Sequence, residues 1–286
     1  MTWRTKVITL YIVLGCLAGA VLLLYLTAIY PGRRRNIAPF DRTPCAHRGL
    51  HNLSEGVPEN SLAAFRCARE HGYGVELDIQ FTADKQIVVF HDKTLSRMCG
   101  VNKRVDALTY AELQQLTLGD TQERIPLLSD VLKVLVDTPI ICEIKSHGAL
   151  GDATLCEAAL PLLKAYPGPL CVESFNPLMI RWFRQNSPEI IRGVLSMIFK
   201  DNEEVSPSQG KLLTALLTNF LSRPDFIAFQ HTDKRAFSFR ICRRLFRAHT
   251  IAWTVRSQQA QETSRDLFDN IIFEKYLPET EANDRG

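Results

Sequence analysis

The feature that most constrains this chain is an alternation. Nine short apolar runs lie at 43–47, 74–80, 87–91, 139–144, 169–174, 190–195, 225–230, 250–255 and 270–273, and most are separated by stretches of helical composition or spacing. Between Gln80 and Ile87 there is room only for a turn, Phe81 to Gln86, so 74–80 and 87–91 are expected to pair as a hairpin. Setting aside the second hairpin strand leaves eight strands joined by crossovers over about 245 residues, the pattern of a TIM (β/α)8 barrel. A doubly wound open sheet is the alternative, and strand count and size favour the barrel. Asn60-Ser61 is expected to cap a helix ending near Gly72, and Thr109 to Glu112 reads as a capping box. The stretches 177–186, 211–222, 237–247 and 258–268 also read as helices.

Ahead of the barrel, residues 7–30 form an uncharged, mostly apolar stretch of 24 residues. In a helix, roughly 20 such residues cross a bilayer core. The stretch is bracketed by Arg4 and Lys6 before it and by Arg33, Arg34 and Arg35 after it. A cleaved signal peptide is the rival reading, but its apolar region runs to only ~7–15 residues. The preferred division is therefore a single-pass anchor at 7–30, a linker at 31–42 and a barrel at 43–278. Three arginines immediately after the span place the barrel on the cytoplasmic side under the positive-inside rule. Eight scattered cysteines without a CxxC pair, read as buried thiols, lean the same way. The whole chain carries a formal charge of +3, yet five basic residues lie in 1–35, which leaves 29 basic against 31 acidic residues for the body. A slightly acidic body excludes a basic nucleic-acid binder.

Chemistry-bearing residues collect at the carboxyl ends of the expected strands, where a barrel has its mouth. The first strand ends in His47-Arg48-Gly49. A histidine there can transfer protons near neutral pH, and an arginine can fork onto phosphate oxygens. Glu76 and Asp78 are two apart on one strand and share a face, while Val75, Leu77 and Ile79 pack outward. The carboxylate pair suits either barrel-mouth salt bridges or a hard, oxygen-ligated cation such as Mg²⁺ or Ca²⁺. If the hairpin turns near Asp84, facing positions sum to about 168 and His91 lands opposite Leu77, beside the carboxylates. The next strand offers Glu143 as a third ligand and, on the same face, Lys145 as a point charge for a phosphate. So many ionisable groups need partners, and a metal with a phosphate diester would satisfy them.

These motifs resemble those of the glycerophosphodiester phosphodiesterase family. The likeness covers roughly 43–275 and rests on His47-Arg48-Gly49, Pro58-Glu59-Asn60-Ser61, Glu76-Leu77-Asp78-Ile79-Gln80, Val88-Val89-Phe90-His91-Asp92, Ile125-Pro126, Glu143-Ile144-Lys145 and Trp253-Thr254-Val255. The resemblance implies a metal-dependent hydrolase that cleaves glycerophosphodiesters to glycerol 3-phosphate and an alcohol. By position, His47 and His91 are similar to the acid and base pair, and Glu76, Asp78 and Glu143 to the metal ligands. Arg48 and Lys145 correspond to phosphate contacts, and Trp253 to a wall of the glycerol pocket. Two departures stand out. Lys85 replaces the usual glycine of the hairpin turn, and the last strand leads into Glu274-Lys275, which alters the mouth on that side. A lysophospholipase D acting on membrane lysolipids and a non-catalytic, membrane-tethered barrel for phospholipid headgroups are the alternatives. His51 and His147 read as surface-loop histidines, His71 as a helix-end residue, and His231 is left open.

Overall fold

The computed structural model describes residues 2–32, 36–38, 40, 43–145, 151–199 and 205–278; His147 lies outside them. The strands are β1 (Cys45–Ala46), β2 (Gly74–Phe81), β3 (Ile87–Val89), β4 (Ile140–Ile144), β5 (Leu170–Ser174), β6 (Ile191–Ser196), β7 (Phe226–Gln230), β8 (His249–Val255) and β9 (Asn270–Phe273). The helices are α1 (Trp3–Ile29), α2 (Leu62–Glu70), α3 (Ser96–Cys99), α4 (Tyr110–Leu113), α5 (Leu128–Leu135), α6 (Thr154–Ala165), α7 (Pro177–Asn186), α8 (Pro207–Thr214), α9 (Asn219–Ser222), α10 (Phe237–Arg244) and α11 (Gln258–Glu262). Eight parallel strands close into a barrel, with β1 pairing both β9 and β2. β3 is added antiparallel outside the closed ring, and its register Ile79↔Val89 and Gln80↔Val88 is the one the hairpin arithmetic gives.

Strand alternation sorts the core into two layers. Outward residues such as Val75, Leu77 and Ile79 pack against the helix ring with Phe65, Leu128 and Phe183. Inward residues Ile141, Cys171, Leu195, Phe226 and Ile251 fill the barrel. Gly193 makes room for that filling, because a Cβ there would lie 2.2 Å from the Phe226 ring. Within the stretch read as a linker, Ile37 and Phe40 are buried in the inward cluster. The Asn270 amide donates to the carbonyls of Phe40 (2.5 Å) and Thr43 (2.8 Å) beside them. The described part of this stretch therefore closes the amino end of the barrel, and burying Phe40 contributes about 2–3 kcal/mol. A third cluster, from Val88 and Phe90 to Leu118 and Ile125, lies under the excursion between β3 and α5.

Most caps are as expected. Ser61 accepts from the Ala64 amide at 3.1 Å, and Thr109 with Glu112 forms the full capping box. The stretch 211–222 differs. It is two helices, α8 and α9, because Leu216 turns into a left-handed conformation (φ 53) to bury its side chain. Asn219 is then free to direct its amide to the carbonyl of Ile29. α10 and α11 end earlier than the composition suggested, at Arg244 and Glu262. Arg247 adopts a positive φ soon after α10. All eight cysteines carry free thiols, five of them buried.

α1 is long and apolar enough to cross a membrane, with a mean hydropathy of 2.7 over its best 18-residue window. Its large apolar residues from Ile8 to Leu24 are exposed. Only its last turns touch the barrel: Tyr25 and Leu26 pack against the core, and Ile29 is fully buried.

Candidate active site

Glu76 and Asp78 point into the barrel from β2, and Glu143 from β4. Register pairs Asp78 with Glu143, and Glu143 with Glu173 on β5, so three neighbouring strands each bring a carboxylate to one level. One oxygen from each of Glu76, Asp78 and Glu143 lies within 4.8 Å of the others, and all three side chains are buried. The Lys145 ammonium lies between two of them, 2.7 Å from Asp78 and 2.8 Å from Glu143.

This crowding sets the charge states. Burial and then repulsion from Asp78, Glu143 and Glu173 push the Glu76 carboxyl well above its usual range. Burial also raises Glu143, against the pull of Lys145. Burial would raise Asp78 too, but Lys145, His91 and Arg48 hold it well below its usual range. With all three carboxylates ionised, one ammonium would not neutralise the group. The donors are hard oxygens, buried and convergent, so a divalent cation fits the excess charge and the chemistry of the set.

The loop after β1 carries the other half of the site. Arg48 takes a positive φ of 57°, which turns its backbone N–H onto Glu76 at 2.9 Å. Gly49 follows at φ 80, pressed so closely on α2 that a Cβ would lie 2.9 Å from Ala64. The Arg48 guanidinium bonds Glu59 at 2.7 Å and lies 3.7 Å from Asp78. Asn60, also at positive φ, donates its amide to the second oxygen of Asp78 at 2.8 Å. Glu59 stood in a quoted motif with no role of its own, and Asn60 was read with Ser61 only as a helix cap; in the structure they support Arg48 and Asp78.

The two histidines are held alike. His47 Nδ1 lies 2.7 Å from Glu274, and His91 Nδ1 lies 2.7 Å from Asp92. Each carboxylate accepts from Nδ1–H and leaves Nε2 as the atom that can take or give a proton. His47 Nε2 lies 4.0 Å from Glu76. Burial pushes His47 down to about 4 despite Glu274, so the ring is neutral at pH 7. Gln80 fixes the approach of His91 by donating to the carbonyls of Phe90 (2.7 Å) and Asp92 (3.0 Å). Arg97 then ties Asp92 to Glu59, and through it to Arg48.

Trp253, on β8, packs edge-on against Phe175 with ring centroids 5.5 Å apart. The structure thus brings all eight expected residues to the carboxyl end of the barrel. Beyond the supports Glu59, Asn60, Gln80, Asp92 and Arg97, three further contributors were missed. Glu274 was noted only as a departure, although it orients His47. Glu173 is a single acid in an apolar strand at the level of Glu143, a signal that was available in the sequence. His51 is half-buried at the mouth, 3.9 Å from Glu274, rather than a surface-loop residue. His71 ends α2 as expected, and His231 opens a short 3-10 turn after β7.

Residues 47–267 match the glycerophosphoryl diester phosphodiesterase family. The chain belongs to this family. Among family members it is similar to a glycerophosphodiester phosphodiesterase of Caldanaerobacter subterraneus, at 34% identity over 161 residues, 52% of this chain and 65% of that protein. A lysophospholipase D of Rattus norvegicus is 32% identical over 171 residues, 54% of this chain and 52% of that protein. The chain spans between about half and two thirds of the length of these curated relatives. Among solved structures, an Oleispira antarctica phosphodiesterase in complex with the product sn-glycerol-3-phosphate superposes with a TM-score of 0.64 at 25% identity, covering 81% of this chain and 92% of that one. A glycerophosphodiester phosphodiesterase of Thermotoga maritima shares the fold with a TM-score of 0.60 at 24% identity, over 80% of this chain and 92% of that one.

Proposed function

We propose that this family member is a metal-dependent phosphodiester hydrolase, held on a membrane by α1, that cleaves glycerophosphodiesters to glycerol 3-phosphate and an alcohol. The observation that carries the reading is the convergence of three buried carboxylates with two carboxylate-oriented histidines and two cations at one barrel mouth. Glu76, Asp78 and Glu143 would hold the metal, Mg²⁺ or Ca²⁺. When bound, it would polarise a phosphoryl oxygen and offset charge that builds in the transition state. Arg48 and Lys145 hold the phosphate, and the apolar wall at Trp253 faces the glycerol carbons.

The proton work falls to the histidines. One accepts a proton at Nε2 from the attacking oxygen as the new P–O bond forms. The other enters the cycle as the imidazolium and gives its Nε2 proton to the alcohol oxygen as the old P–O bond breaks, so the alcohol leaves neutral and this ring ends neutral while the first ends protonated. Glu274 and Asp92 hold Nδ1 of the two rings, so that Nε2 is the working atom in both. Charge bias across α1 supports a barrel on the cytoplasmic face.

Lysophospholipase D action is the second reading, supported by α1 and by the rat relative. The test is release of glycerol 3-phosphate from glycerophosphocholine with and without chelator. His47→Ala and His91→Ala are each expected to lower kcat by about 10²–10⁴-fold. Turnover that survives chelation would remove the metal from the mechanism, and full activity in either variant would remove the histidine pair.

A further inference from the structure

The last turns of α1 dock on the barrel in an order that fixes direction. The Tyr25 hydroxyl bonds the Ser238 hydroxyl at 2.8 Å, and its ring stacks near Phe237 at 6.3 Å. The carbonyl of Ile29 accepts from Cys242 Sγ at 3.3 Å and from the Asn219 amide at 2.9 Å. Tyr30 packs edge-on against Phe246 at 5.1 Å, and its carbonyl accepts from Arg223 at 2.5 Å. Residues 25, 29 and 30 thus meet 237–238, 242 and 246 in the same sequence. α1 and α10 therefore run in the same direction. α10 starts beside the carboxyl end of β7 and runs toward the amino end, as helices of a parallel barrel do. The rest of α1 must then project past the carboxyl end, which is the face that holds the active site.

The lengths agree with a bilayer on that side. Residues 7–24 make no core contact, are uncharged and rise ~27 Å, close to the ~30 Å hydrocarbon thickness. The span ends at Tyr25, beside Phe237 on the rim of the mouth. Phe237 is 72% exposed, and Leu53, on the loop after β1 at the same end of the barrel, is 50% exposed. Aromatic side chains at such a level suit the headgroup boundary. Arg256 and Lys275 add exposed cations next to Glu274 at the same mouth.

We infer that the active-site mouth faces the bilayer that α1 crosses, and that it draws lipid-borne substrate, a lysophospholipid whose chain stays in the membrane, from that surface. This rests on the reading of α1 as a span and of the mouth as a phosphodiesterase site. The test uses the full chain in vesicles made with acyl-brominated phosphatidylcholine, with Phe237→Trp or Leu245→Trp added to the native tryptophans. Leu245 follows the opposite end of α10 and is 61% exposed. Bromine should quench the fluorescence added at 237 at least about threefold more than that added at 245. Equal or reversed quenching, or none at either position, would overturn the orientation.

In the same vesicles, Phe237→Asp should lower turnover of bilayer-borne lysophospholipid more than fivefold and leave that of soluble glycerophosphocholine within twofold. Equal effects on both substrates would overturn the route of entry. A parent chain inactive on soluble glycerophosphocholine but quenched at 237 would instead count against the phosphodiesterase reading and leave the orientation standing.

Discussion

Single residues at this mouth do their work through short, directed contacts. Glu274 touches His47 and Arg256 and orients the ring without reaching the acidic cluster itself. Glu274→Gln should lower kcat about 10–100-fold with little change in KM, the scale typical of lost orienting partners. It also removes a negative charge that raises the His47 pKa, so the acidic limb of the pH–rate profile should move to lower pH. An unmoved limb would mean that His47 is not the group that titrates there. Gly49→Ala should destabilise by about 2–4 kcal/mol, because its positive φ and the contact with Ala64 both exclude a Cβ. Thermal unfolding measures this, and a loss below 1 kcal/mol would show that the loop can yield.

Among the elements, the β2–β3 hairpin carries the most information per residue. Its register follows from a short turn, five residues (82–86) once Phe81 pairs with Ile87, and that register puts His91 beside the acid pair. The Asp84-Lys85 turn survives without glycine because Lys85 accepts φ 61 while Thr82 and Asp84 tie the loop together. Gln80 is the pin. Gln80→Ala leaves two carbonyls without their donor and should cost about 1–3 kcal/mol. Activity should fall further than that loss of stability implies, since His91 is released, and a variant as active as the parent would refute the pinning role. The helix expected over 211–222 was the element misread. Its spacing is helical throughout, and only the need to bury Leu216 and to meet Ile29, far away in sequence, breaks it.

At the scale of the molecule, two charge systems set the response to conditions. Burial would raise Glu59, but hydrogen bonds and charge from Arg97 and Arg48 prevail and lower it to about 2. Its folded value lies below the unfolded 4.5, so the stabilisation is present above about pH 4.5 and is lost as pH falls toward 2. The amount is about 2 kcal/mol once the half-exposed Arg97 is allowed for. Glu59→Gln should remove that part of the acid transition in pH-dependent unfolding, and an unchanged acid limb would refute it. The acidic cluster acts the other way. Burial and mutual repulsion oppose ionisation of Glu76 and Glu143, and a bound divalent cation would relieve that cost, so Mg²⁺ or Ca²⁺ should raise Tm by several degrees. Glu76→Gln should raise the metal-free Tm and abolish the metal response; a response that persists would exclude Glu76 as a ligand.

The sequence by itself determined what depends on local periodicity. Strand alternation and the hairpin turn gave the barrel and brought His91 and the i, i+2 acids to one face, and hydropathy gave the apolar helix, because these are set by neighbours a few positions apart; Trp253 was named only through the family resemblance. Only the tertiary structure decided what depends on closure. Joining β9 to β1 brings Glu274 to His47, 227 positions apart in sequence. Pairing β4 with β5 sets Glu173 beside Glu143, and the packing of Ile37 and Phe40 turns part of a linker into a plug. The direction of α1 belongs to the same class. Hydropathy says that the helix can cross a bilayer, but only its contacts with α9 and α10 say which face of the barrel it leaves from.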